Sequence, residues 1–354
     1  MILRRDLLAL LNALVLLPEA TLVAASESLS ESAPASAMNP GSAGAGGVDR
    51  EHISRVLCDI ENKAISLALN CGWTAEEPSL EAVRHYHRDV HAPLIARRPG
   101  IYQYRHYAFD RIRADLFAPD DSIELDCPVA EQFTAAAAAS YLNAQEHARS
   151  LAAMPADLGP LISADIARIQ RRTASYVADE PGAGHTFVDT TGFTVPQGPP
   201  ELPSFGLFFR QRADREDFRE GMKKLASRWS AQAGVRRLRL TLLEVGGTAH
   251  TAVENEYLHQ AWIDLVIDNE QVAAQLHSQS AKSMRPFVRA LHAYPIHERY
   301  TYVYGGRPTL VGLRGYAACQ AIQEFGAANQ KDPRILEWMY GPVVQGGPVE
   351  PGES

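Results

Sequence analysis

The sequence predicts an α+β fold in which two ferredoxin-like (βαββαβ) repeats pack as an intramolecular pseudo-dimeric α+β barrel. Three observations carry this expectation. The chain has 354 residues, long for one simple domain and comfortable for two. Short segments of period two alternate with segments of helical period. The order β-α-β-β-α-β occurs twice, on either side of a Gly- and Pro-rich stretch at 180–204. The duplication is one of pattern, since the halves share little aligned sequence. The expected bounds are 49–195 for the first repeat, 203–315 for a second, degenerate repeat and 316–354 for a C-terminal helix and tail.

In the first repeat, Asp49 to Cys58 begins a helical or mixed segment and Ile65 to Cys71 reads as a short apolar strand. Ser79 is a candidate N-cap for a helix whose Leu80, Val83, Val90 and Leu94 share an apolar face with His87, and Pro93 should stop it. Gly100 opens a strand running to Ala108. A further strand is expected within Ser122–Phe133, then a long Ala-rich helix to about Leu151, then a segment at 158–178 that turns from helical to extended. In the second repeat, Ser204–Arg210 is a strand and Asp214–Ala233 an amphipathic helix. Val235–Val245 is a strand with Leu238, Leu240 and Leu242 on one face and Arg237, Arg239 and Thr241 on the other. Tyr257–Ile267 is a strand, Asn269–Lys282 a helix, and Ile296–Tyr304 a strand that carries Tyr300, Tyr302 and Tyr304 on one side.

Residues 1–25 read as an export signal. Arg4 and Arg5 precede the apolar run Leu7–Leu17, interrupted by Asn12, which is too short to span a bilayer. Small residues follow at Val23-Ala24-Ala25, and Arg-Arg-Asp-Leu-Leu resembles a twin-arginine signal, so a periplasmic location is expected. A cytoplasmic protein with an amphipathic start or a misplaced start codon is the alternative. No stable membrane insertion is expected once the signal is removed. Residues 26–48, rich in Ser, Ala, Gly and Pro, form a flexible linker.

Composition is that of a globular protein, 46% hydrophobic and 21% charged. A net charge of −8 argues against nucleic acid as a partner, because phosphate contacts need a basic surface. Cys58, Cys71, Cys127 and Cys319 form no CxxC pair and match no zinc or iron–sulfur spacing. The chain lacks a GxSxG elbow, a Walker loop and a dinucleotide fingerprint.

Reactive side chains concentrate in Tyr86-His87-Arg88-Asp89-Val90-His91-Ala92-Pro93-Leu94 and in the strand that follows Gly100. His87 and His91 are four apart and share a helix face. Such spacing can bind metal, but Arg88 stands where the HExxH motif needs Glu, and no metal is expected. A histidine titrates near neutral pH and suits proton transfer, with His91 as acid or base. Asp89 points elsewhere on a regular helix. Tyr102, Tyr104 and His106 share one strand face; facing the lumen they would supply phenols and an imidazole to a pocket, and under the helices they would be core aromatics. The opposite face offers Gln103, Arg105 and Tyr107. In the second half, Trp262 shares a face with Asp264, and the Tyr300–Tyr304 stripe suits stacking on an aromatic ligand as well as ordinary packing.

The stretch Ser79–His106, with a helix ending His-Ala-Pro-Leu (91–94) and then Gly100-Ile-Tyr-Gln-Tyr, resembles EthD-type proteins of the dimeric α+β barrel superfamily. The resemblance implies a fused pseudo-dimer. The corresponding end of the second half, Arg228-Trp-Ser-Ala-Gln-Ala-Gly234, has neither the His nor Pro-Leu, which implies one working pocket, in the first half. Relatives with this architecture include cofactor-free monooxygenases, lactone isomerases, polyketide decarboxylases and dehydratases, and haem-binding peroxidases, so the resemblance implies a fold more than a reaction. The expectation is a cofactor-independent lyase or isomerase doing elimination, decarboxylation or isomerisation on a small hydrophobic or aromatic compound. His91 would act as acid/base, Tyr104 or His106 would hold the oxyanion, and His87, Tyr102, Trp262 and Tyr302 would bind substrate. A non-catalytic hydrophobic-ligand-binding protein and a haem-binding member of the superfamily with a His ligand are the alternatives. Monomer and homodimer are both compatible.

Overall fold

The structure is a computed structural model and describes residues 50–75, 77–192, 194–246 and 258–341. The expected export signal, the linker, Tyr257 at the start of its strand and the tail beyond 341 lie outside the described residues.

Each half builds a four-stranded antiparallel sheet with helices on one face. The first comprises β1 (Ser66–Thr74), β2 (Gln103–Phe109), β3 (Ala135–Tyr141) and β4 (Gln170–Ala178), ordered β4-β1-β3-β2. The second comprises β7 (Ser204–Gln211), β8 (Val235–Leu242), β10 (Ala261–Ile267) and β11 (Val288–Tyr304), ordered β11-β7-β10-β8. Counted within each repeat, both read fourth-first-third-second, the split βαβ arrangement.

Two crossings join the sheets into one barrel. The 17-residue strand β11 pairs with β7 through Val288–Pro295 and with β2 through Ile296–Val303. The chain after β4 continues as β5 (Gly184–Asp189), which pairs with β8, while β9 (Glu244–Val245) pairs back on β4. Each repeat therefore sends its last strand onto the second strand of the other. The fold class is the one expected: an α+β pseudo-dimeric barrel in one chain.

The helices include α1 (Arg50–Asn62), α2 (Leu80–Tyr86), a π-helical turn (His87–His91), α3 (Ala92–Ile95), α4 (Ala144–Ala152) and α5 (Leu158–Ile169). The second half adds α6 (Arg215–Ser230), α7 (Glu270–Met284), α8 (Leu310–Arg314), α9 (Tyr316–Glu324) and α10 (Pro333–Tyr340). Among the described residues, none is long and apolar enough to cross a membrane.

Several local expectations fail for physical reasons. Ala135–Tyr141 is a strand, not the start of an Ala-rich helix. Alanine favours helices by only tenths of a kcal/mol, roughly 0.5 over β-branched residues, and pairing with β1 on one side and β2 on the other overrides it. The helix begins at Ala144, where Asn143 caps it by accepting from Glu146 N. The stretch 122–133 holds no strand; it contributes an isolated bridge, Glu124–Ala290, and a 3₁₀ turn at Val129–Glu131. The connection at 180–204 contains β5 and β6 (Gln197–Gly198). Lastly, a register shift between Thr301 and Val303 breaks the tyrosine stripe: Tyr300 and Tyr302 pack with Ala92 and Ala96, whereas Tyr304 lies against Arg105, whose guanidinium is 5.5 Å from its ring centre.

Contacts across the barrel identify the inner face. Tyr107 meets Trp262 edge-on at 5.2 Å, and Phe109 meets Phe208 at 6.0 Å. Odd-numbered positions of β2 thus point inward. Tyr104 and His106 point outward, beneath the helices.

Candidate functional site

The seam between the first helices and the outer face of β2 is shaped by Pro93. It has no N–H to give Asp89 O, and its ring would crowd that carbonyl. The helix does not stop there as expected. It widens into the π turn, with Ala92 N–H bonded to His87 O, and continues through Ile95. Tyr302 Oη donates to Arg88 O at 3.0 Å, supporting the widened turn from the sheet. Asp89 accepts at 2.9 Å from Ala317 N of α9 and pairs with Arg88 at 2.7 Å. It is tied to the C-terminal helices and takes no part with His91.

The partner of His91 is Asp165, near the end of α5. Nδ1 of His91 lies 2.6 Å from Asp165 Oδ2, and Tyr86 Oη donates to the other carboxylate oxygen. Asp165 is the sole acidic residue of α5, and a lone carboxylate in a mostly apolar helix is the signal that could have drawn attention to it. His91 is buried and the Asp165 side chain is 21% exposed.

Two further imidazoles join this pair. The His87 ring lies 5.1 Å from His91 and 3.9 Å from His106. Burial, with His91 and Arg84 adding to it, pushes His106 down to about 3. Burial and then the neighbouring His106 and His91 hold His87 well below the usual imidazole range. Both rings are neutral at physiological pH. Neither nitrogen of His106 has a hydrogen-bond partner in the structure.

The structure therefore gathers His87, His91 and His106. Tyr104 and Tyr302 sit beside them in an apolar cluster with Ala92 and Ala96, their rings 5.5 Å apart. Burial pushes both hydroxyls up. Tyr102 packs instead with Ile60, Val195 and Tyr304, and Trp262 lies inside the barrel. Among the described residues, no group of three or more His, Cys, Asp or Glu is placed to hold a metal ion.

The barrel interior holds a second polar system. Glu61, at the end of α1, meets Arg105 at 3.1 Å and Arg237 at 3.0 Å. Arg237 also bonds Asp264 at 3.1 Å and pairs with Asp189, and Tyr107 Oη donates to Asp264 at 3.3 Å. Burial would raise the Glu61 carboxyl, but Arg105 and Arg237 outweigh it and hold it well below the usual range. Burial likewise opposes ionisation of Asp264, and Arg299, Arg237 and Arg105 reverse the balance. The sequence showed the shared faces of Arg105 and Tyr107, of Arg237 and Arg239, and of Trp262 and Asp264, but not their meeting.

No family model and no curated protein matches this chain. Solved structures similar to it include a proposed monooxygenase from Fusobacterium nucleatum subsp. nucleatum, at 8% identity and a TM-score of 0.39 over 69% of this chain and 97% of that one. Another is a proposed monooxygenase from Lactobacillus acidophilus, at 9% identity and a TM-score of 0.37 over 68% and 96%. A third is an anthrone oxidase-like protein, at 8% identity and a TM-score of 0.39 over 68% and 94%.

Proposed function

We propose that this protein is an EthD-like, cofactor-independent acid–base catalyst that moves a proton next to a carbonyl of a small hydrophobic or aromatic compound, as a lyase or isomerase does. The observation that carries the reading is the 2.6 Å contact between His91 Nδ1 and Asp165. A carboxylate on Nδ1 fixes the tautomer with the proton there and leaves Nε2 unprotonated, the form a general base needs. Tyr86 holds the other oxygen of Asp165 and so orients the carboxylate.

In this mechanism Nε2 of His91 takes the proton, and Asp165 stabilises the imidazolium that results. Neutral His106 donates to the developing oxyanion. Its unpartnered nitrogens support that role, because an unmet buried polar group costs about 1–3 kcal/mol and a substrate oxygen would satisfy it. Apolar side chains border the dyad on the surface. Val90 and Leu94 repeat along the helix from Tyr86, and Leu161 shares the α5 face of Asp165; these three are 52%, 51% and 66% exposed. That border favours an apolar substrate. Export to the periplasm through the signal at 1–25 belongs to the same proposal.

The test is incorporation of solvent deuterium α to the carbonyl of an enolisable aromatic ketone such as 2-tetralone, followed by ¹H NMR. The protein should accelerate exchange, and His91→Ala should lose a factor of about 10²–10⁴ without loss of fold. Exchange that proceeds equally fast in His91→Ala would remove His91 as the base.

A further inference from the structure

A cleft of about 650 Å³ opens at one end of the barrel. One wall is the connection at 194–202 and the other is α8 and α9, while Ser204, Val266 and Arg299 reach it from the strands. Val266 shares the inward face of β10 with Trp262 and Asp264, and Ser204 shares that of β7 with Phe208. The cleft is thus a mouth of the barrel interior, and Arg299 is the member of the interior ion network that lines it. None of Tyr86, His87, His91, His106 or Asp165 lines it.

The network behind this mouth is not neutral. Arg105, Arg237, Arg239 and Arg299 are each at most 7% exposed, as are Glu61, Asp189 and Asp264. Four guanidiniums against three carboxylates leave one positive charge. Arg239 is held by neutral oxygens, Thr186 Oγ1 at 2.8 Å and Glu61 O at 3.4 Å, with the Glu61 carboxylate no nearer than 3.8 Å. Arg299 Nη2 approaches Asp264 Oδ1 to 3.3 Å, yet Arg299 Nε and Asp264 Oδ1 both lack a hydrogen bond. An uncompensated buried cation is costly, and a counter-anion removes the cost. The walls fit the rest of such a ligand: Val195, Leu202, Leu310 and Val311 are apolar, and at the rim Glu201 offsets Lys331.

We infer that this cleft binds an amphipathic organic monoanion, a carboxylate or sulfonate, with its acid group on Arg299 and its apolar body along the wall formed by α8 and α9. The inference is independent of the His91 chemistry. The volume lies in the range of small-molecule sites, which often occupy barrel mouths.

The probe is 1-anilinonaphthalene-8-sulfonate, titrated by fluorescence into the full chain beside its uncharged counterpart N-phenyl-1-naphthylamine. The sulfonate should fill a single saturable site at least about tenfold more tightly than the neutral amine. Arg299→Met should abolish that preference, Arg299→Lys should keep part of it, and His91→Ala should leave it unchanged. Gln320→Trp, at an exposed cleft position, should weaken both probes at an unchanged melting temperature, so the site stays testable if Arg299→Met does not fold. Equal affinity of the two probes for the unaltered protein would overturn the inference, as would sulfonate binding that Gln320→Trp leaves intact.

Discussion

His91 and Asp165 lie 74 residues apart in the chain and 2.6 Å apart in the structure. One belongs to a π turn forced by Pro93, the other to the last turns of α5, and β2, β3 and α4 intervene in sequence. Bringing a carboxylate onto one nitrogen of a buried imidazole decides which nitrogen is free for chemistry.

Asp165→Asn keeps the size of the side chain and removes its charge. The amide can present either its oxygen or its nitrogen to Nδ1, so the tautomer is no longer fixed. Proton-exchange turnover should fall by a factor of about 10–10³, less than for His91→Ala. The readout that separates this from a packing defect is a fall in kcat at a little-changed KM and melting temperature.

Buried neutral histidines tie stability to pH. His106 and His87 titrate lower in the folded chain than their ordinary value of 6.5. The unfolded chain therefore takes up protons first on acidification. The stability these groups contribute is complete above pH 6.5 and is lost as pH falls toward about 3, the folded value of His106. Each such group adds a slope of up to about 1.4 kcal/mol per pH unit in that window. Urea unfolding at a series of pH values should show this slope, and His106→Phe should flatten it. His292, also pushed down to about 3 by burial, supplies the same sign and remains in the variant.

Glu61→Gln removes the carboxylate that Arg105 and Arg237 share. Breaking a buried pair by deleting one partner costs roughly 3–5 kcal/mol. The wild-type contribution is present above the ordinary Glu value of 4.5 and fades as pH falls through the depressed folded value. Chemical denaturation should show the loss at neutral pH and a smaller difference between variant and wild type in acid.

Gly315 has φ of +80° between α8 and α9, and a Cβ there would lie 3.0 Å from Asp89 O. Gly315→Ala combines a left-handed backbone with that close approach and should cost about 1–3 kcal/mol. Because Asp89 anchors the π turn, the His87–His91 ring contacts should loosen as well, visible as broadened imidazole signals in NMR.

The two-repeat barrel was legible because its strands alternate or run apolar and its helices carry caps such as Asp214. The meeting of His87, His91 and His106 was foreshadowed by helix spacing and by the strand that follows. Other features depend on distant pairing. Ala135–Tyr141 carries no pattern of its own, because alanine fits a helix or a tightly packed strand. The split of Tyr302 from Tyr304 arises from a bulge against β2. Which face of Tyr102-Tyr104-His106 meets the helices depended on how the sheets close. Asp165 and the Glu61 network join segments whose separation in sequence exceeds any local period, so neither could be read from spacing.

The protonation state of His91 bears on the proposed chemistry without knowledge of the substrate. A ¹⁵N-correlated spectrum of the imidazoles should show the neutral form of His91 with the proton on Nδ1 and a bare Nε2, and Asp165→Asn should populate the other tautomer. A wild-type His91 carrying its proton on Nε2 would contradict its role as the base.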